Sequence, residues 1–177
     1  FATEALKLYS IKPVSIHFIN HAENATFRIT TSRGQNYLLR IARNDYHSEA
    51  GIKEELRWLS QLSKRKKVTV PLPVRSKRGH IVESAKSASV GGSRNFCLFK
   101  WIDGRFIDRR VTEEQMYKIG VLLGYLQIHA PKGPVKNRPN WNSEGLLGET
   151  AQFGSIDQLK GIRPEQQKQI TRYRRLL

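Results

Sequence analysis

The sequence predicts an α+β fold, and two observations carry that prediction. Up to about residue 102 the chain reads as short runs rich in β-branched and aromatic residues, interrupted by a single helical pattern. After Asp103-Gly104 the periodicity becomes helical and stays so. The boundary divides the chain into residues 1–102, mainly strands, and residues 103–177, mainly helices.

The strands come first. Val14 to Phe18 and Ala25 to Thr30 have strand composition, Ser32-Arg33-Gly34-Gln35 is a turn signal, and Asn36 to Ala42 resumes as a strand. Ala25 to Ala42 is therefore expected to be a hairpin. His80 to Ser84 and Asn95 to Trp101 read as a second pair, with the Ser/Gly-rich Lys86 to Ser93 as a mobile loop between them. Between the two pairs, Ser48 to Leu62 carries Ile52, Leu56, Leu59 and Leu62 on one helical face. Glu55 falls inside that apolar arc and Glu54 outside it. A carboxylate on the buried side of a helix needs a cationic partner to offset its desolvation. Pro71-Leu72-Pro73 then enforces an extended connection.

In the second part, Thr112 and Gln115 form a capping box ahead of a helix with Met116, Ile119, Leu122, Leu123 and Leu126 on one stripe. Pro131 to Gly148 is crowded with Gly and Pro and reads as a long loop. Pro164 is expected in the first turn of a last helix that still runs at Leu177.

Composition bounds the function. The 177 residues are 38% hydrophobic and 26% charged, as in an ordinary globular protein. No window approaches the roughly 18 consecutive apolar residues of a membrane span. The chain starts Phe1-Ala2-Thr3-Glu4 without a leader pattern or initiator Met, which suggests an excerpt of something longer. A single cysteine, Cys97, excludes an internal disulfide, and a reducing cytoplasm is the plain expectation. There are 31 Lys+Arg against 15 Asp+Glu, a net charge of +16. Such an excess raises a basic nucleic-acid-binding module as an alternative function. The runs at Lys64 to Lys67, Arg75 to Arg78 and Arg172 to Arg175 lack the interleaved aromatics of a base-stacking platform, so a solvated surface is favoured. The histidines at 17, 21, 47, 80 and 129 are scattered, and no hydrolase, Walker or dinucleotide motif is present.

What remains is an arrangement. A hairpin carries Asn24-Ala25-Thr26 at its entrance and Arg40 on its exit strand, a helix brings in Glu55, and a later strand ends in a Gly-containing hinge. A triphosphate needs a fixed positive charge, and a long cationic side chain needs an anionic partner to fix it. The wording is close as well. His21 to Ile29 with Tyr37-Leu38-Leu39-Arg40-Ile41, then Glu54 to Leu59, Val70 to Val74, Cys97 to Arg105, Ile119 to His129 and Asn137 to Gly148 follow in order. In these runs the chain resembles the aminoglycoside-phosphotransferase/homoserine-kinase family, whose fold is protein-kinase-like.

The resemblance implies an antiparallel β-sheet N-lobe with one helix, followed by the beginning of a helical C-lobe. It implies an ATP-dependent phosphotransferase that, in complete form, passes the γ-phosphate to a small-molecule hydroxyl. It assigns Arg40 to the phosphates with Glu55 as its partner, the backbone of Lys100 and Ile102 to adenine with Phe99 beside the ring, and the turn Asn24, Ala25, Thr26 to covering the phosphates. A purely structural ion pair and an ordinary turn are the alternatives, and Trp101 is read as packing. The family's His-x-Asp catalytic loop and its Mg²⁺-binding Asp have no counterpart at Asp45, Asp103, Asp108 or Asp157. Both are expected beyond Leu177, so the chain by itself should lack transferase activity and expose apolar surface. A non-catalytic kinase-like remnant is the further alternative.

Overall fold

The computed structural model describes residues 1–43, 46–87, 92–104, 111–132, 136–138, 141–148, 151 and 161–174. The tip of the Ser/Gly-rich loop at 88–91, Arg105, Asp45, Asp108, Asp157 and the chain end through Leu177 lie outside these residues. The chain falls into two compact units, Phe1–Asn137 and Arg138–Leu177.

The first unit is built on an antiparallel sheet. Its strands are β1 (Pro13–His21), β2 (Asn24–Thr31), β3 (Asn36–Ala42), β4 (Pro73–Val74), β5 (Glu83–Ser87) and β6 (Gly92–Lys100). The order is β1-β2-β3-β6-β4, with β5 also paired to β6. Alternating side chains give the sheet two apolar faces. On one face Ile29, Leu39, Ile41, Phe96 and Leu98 pack with Ala5, Leu6 and Tyr9. On the other, Ala42, Cys97 and Phe99 pack with Ile52 and Leu56 of α2 (Glu49–Lys64) and with Val82.

Ala5 and Leu6 belong to α1 (Ala2–Leu6), an element the sequence reading missed. Five residues are too few to show a helical period, and packing anchors the segment: Phe1 and Tyr9 both set ring edges against Phe96, at 5.7 and 6.4 Å between centroids.

The first hairpin, α2 and the extended Pro-rich connection form as expected. Ser48 caps α2 by accepting from Gly51 N at 3.0 Å. The second hairpin differs. Lys86 pairs with Ser93 and Ser87 with Gly92, so both ends of the expected loop are ladder. Pairing along β6 overrides the poor strand propensity of Ser and Gly.

Helix α3 (Glu113–Ile128) starts with the expected capping box, Gln115 N to Thr112 Oγ1 at 3.2 Å and Thr112 N to Gln115 Oε1 at 2.9 Å. Its apolar stripe is uncovered. Met116 is 56% and Leu123 55% exposed, and no described residue of the helix is buried. The second unit contains α4 (Ser143–Leu147), capped by Asn142, and α5 (Pro164–Arg174), which starts at the expected proline.

Candidate functional site

Sheet register brings the candidate residues together. Thr26 lies opposite Arg40, and Arg40 opposite Cys97, so one row crosses β2, β3 and β6 on a single face. The next row on that face is Arg28, Leu38 and Phe99. Helix α2 covers part of it, and its inward Glu55 meets Arg40 in a fork. Arg40 Nη1 donates to Oε1 at 2.6 Å and Nη2 to Oε2 at 3.2 Å, with the two side chains 19% and 21% exposed. Two parallel charge-assisted bonds hold the guanidinium in one plane. Its Cζ also lies 5.0 Å from the Phe99 ring centroid. Arg40 is therefore a fixed cation next to an aromatic ring, at the margin of the cluster that α2 closes.

Cys97 lies in this row, buried at 1% exposure. Burial raises its thiol to about 11; Glu55 pushes the same way, while the Arg40 charge and hydrogen bond oppose the rise. It stays protonated at neutral pH and is not a nucleophile.

The entrance residues are placed differently from the sequence expectation. Asn24, Ala25 and Thr26 already pair in the ladder, and the reversal falls at Ala22–Glu23. The short bond from Ala22 N to Asn24 O, 3.2 Å, tightens that reversal. By alternation Ala25 presents its side chain to the opposite face, where it packs beside the first cluster. There it lines a cavity of about 700 Å³ with Phe18, Phe27 and Ile41. That cavity includes neither Arg40 nor Phe99.

At the hinge, Lys100 N already donates to Leu72 O at 2.9 Å. Lys100 can offer a ligand only its carbonyl, which narrows the expectation for its backbone. Ile102 follows the end of β6, 40% exposed and outside the ladder. Sequence reasoning passed over Arg28. Its Cζ is 4.9 Å from the Trp101 ring centroid, and its Nε donates to Asn36 Oδ1 at 3.3 Å. The signal was available: Arg28 is two residues beyond Thr26 in a strand, hence on the same face. Trp101, read as packing, lies under Arg28 and donates from Nε1 to Asp103 Oδ1 at 3.1 Å.

A hairpin-borne Arg, forked by a helix Glu on the sheet face nearest a Gly-containing hinge, is the arrangement expected of a phosphotransferase N-lobe. The sequence pattern of the phosphotransferase enzyme family matches residues 15–176. The chain belongs to that family. Among solved structures, a microcompartment-associated aminopropanol kinase is similar at a TM-score of 0.80 and 28% identity, covering 99% of this chain and 55% of the kinase. An amicoumacin kinase in complex with AMP-PNP, Ca²⁺ and Ami is similar at a TM-score of 0.59 and 27% identity, covering 76% of this chain and 40% of that one. No curated protein matches. The chain thus spans about half the length of the solved kinases it resembles. The phosphotransferase family accounts for the α+β, protein-kinase-like fold. Neither the family nor these kinases lends support to a nucleic-acid-binding module.

Among the described residues no group of three or more His, Cys, Asp or Glu is gathered to hold a metal ion. None of the described helices is long and apolar enough to cross a membrane.

Proposed function

We propose that this chain is the nucleotide-cradling part of a kinase that transfers the γ-phosphate of ATP to a hydroxyl group of a small molecule. One observation carries the reading: the bidentate Arg40–Glu55 pair, which holds a cation at fixed orientation beside Phe99. A guanidinium so fixed meets phosphate oxygens without the entropy cost of ordering a free side chain. ATP supplies the transferable phosphoryl group; Arg40 orients its phosphates and Glu55 holds Arg40. Phe99, buried at 2% exposure, forms the floor beneath the adenine, the Lys100 carbonyl and Ile102 N–H bond its edge, and the backbone about Asn24, Ala25 and Thr26 lies over the phosphates. In this reading residues 1–102 are the N-lobe and hinge, and 103–177 begin the helical lobe. In the family pattern the acceptor hydroxyl and Mg²⁺ are held by a His-x-Asp loop and a later Asp, motifs that residues 1–177 do not contain, and the protein works in the cytoplasm, where ATP is supplied.

Titration of the chain with ATP tests the reading. Binding is expected, with Arg40→Ala reducing affinity at least about tenfold, the effect of losing a charge-assisted contact of roughly 1.5–3 kcal/mol. Equal affinity of Arg40→Ala and the unsubstituted chain would sink the assignment.

A further inference from the structure

The face of α2 next to the Arg40 partner is not bare. Gly51, Glu54 and Trp58 are spaced three and four residues apart, so they form one edge of the helix, beside Glu55. Each meets the segment that ends and follows α3. Trp58 Nε1 donates to the carbonyl of His129, the α3 C-cap, at 3.0 Å. Glu54 accepts from Asn137 twice, from Nδ2 at Oε1 (2.5 Å) and from the backbone N–H at Oε2 (3.3 Å). The Asn137 carbonyl lies directly over Gly51, where a Cβ would fall inside van der Waals contact with that oxygen and 3.3 Å from its carbon. Glycine here has a packing reason that overrides its low helix propensity.

We propose that Asn137 is a positioning residue. It clasps α2 through Gly51 and Glu54, with Trp58 and His129 as the second point of the clasp, and so fixes the helix setting at which Glu55 forks Arg40. Two anchors, one near each end of the exposed edge, resist both rotation and sliding of α2. A fork with bonds of 2.6 and 3.2 Å tolerates little of either. The segment after α3 thereby controls a cation on β3 that it does not touch. The inference rests on the reading of Arg40 as the phosphate-holding group.

Cys97 supplies a reporter that needs no ligand. It is the one cysteine of the chain, and it is buried in the cluster that α2 closes with Ile52 and Leu56. Loosening α2 exposes its thiol. The experiment measures, in the 177-residue chain, the rate of Cys97 modification by a thiol reagent and the affinity for ATP. The variants are Asn137→Ala, Gly51→Ala, Glu54→Gln and Arg40→Ala, with circular dichroism to confirm the fold.

Asn137→Ala and Gly51→Ala are each expected to speed modification and to weaken ATP binding about fivefold, the worth of one net hydrogen bond. Gly51→Ala does so although alanine favours helix. Glu54→Gln keeps one acceptor for Asn137 and turns the other into a donor facing an Asn137 donor, so it is expected to move both quantities in the same direction as Asn137→Ala. The proposal is overturned if the two variants leave both quantities unchanged, or move one without the other, while Arg40→Ala weakens binding by about tenfold or more. If the unsubstituted chain binds no ATP, the phosphate-holding reading fails. The modification rates then decide alone whether Asn137 sets α2: unchanged rates overturn the clasp, faster ones sustain it.

Discussion

Arg40 shows how much one side chain depends on its exact chemical form. Lysine at 40 would keep the charge but lose the fork, so Glu55 would bind it through one contact and leave it free to rotate. Arg40→Lys is expected to weaken ATP binding by about tenfold while changing thermal stability less than Arg40→Ala does, as calorimetric titration and melting would show. Glu55→Ala leaves the guanidinium half-buried without its fork, and a loss of roughly 3 kcal/mol or more in urea unfolding is expected. Cys97 adds a pH signature. Below its ordinary value of 9.0 the thiol is protonated in both folded and unfolded chains. Between 9.0 and about 11 the unfolded chain releases its proton first, so stability falls as pH rises, and above about 11 the loss is complete. The stability of the natural chain relative to Cys97→Ala should therefore decline by roughly 3 kcal/mol across that window.

Individual elements differ in how legible they were. Helix α2 was readable because its apolar residues recur at 3.6 and Ser48 precedes them; the same pattern placed Glu55 inward, where Arg40 meets it. Ser48→Ala removes the acceptor for Gly51 N and is expected to cost about 1 kcal/mol, lowering the melting temperature by a few degrees. Helix α1 was not readable, since those five residues are anchored by the ring of Phe96 and the cluster beneath it, far along the chain. The β5–β6 hairpin was half readable: Ser and Gly signalled a loop from Lys86, and the ladder extends to the pair Ser87 and Gly92. Arg28 could have been found from strand alternation, whereas the bond that occupies Lys100 N could not, because Leu72 is distant in sequence.

For the molecule as a whole, the largest consequence lies on α3. Met116, Tyr117, Val121, Leu123 and Ile128 are all more than half exposed, and five such residues on one helix make an apolar surface beyond what scattered exposure produces. The 177-residue chain is expected to bind a hydrophobic dye at neutral pH and to self-associate on concentration. Val121→Gln together with Leu123→Gln should reduce both, as fluorescence and light scattering would show, without altering the Cys97 modification rate.

Local patterns alone determined the α+β class, the first hairpin, α2, the α3 capping box and the inward setting of Glu55, while the resemblance named Arg40 as its partner. Each depends on neighbours within a few residues or on the rule that an inward charge must find its opposite. The tertiary structure alone decided that the reversal falls at Ala22–Glu23, that Arg28 stacks on Trp101, and that Asn137 reaches back to Gly51 and Glu54. The last two contacts join residues tens of positions apart, and no periodicity encodes which distant segments close on one another.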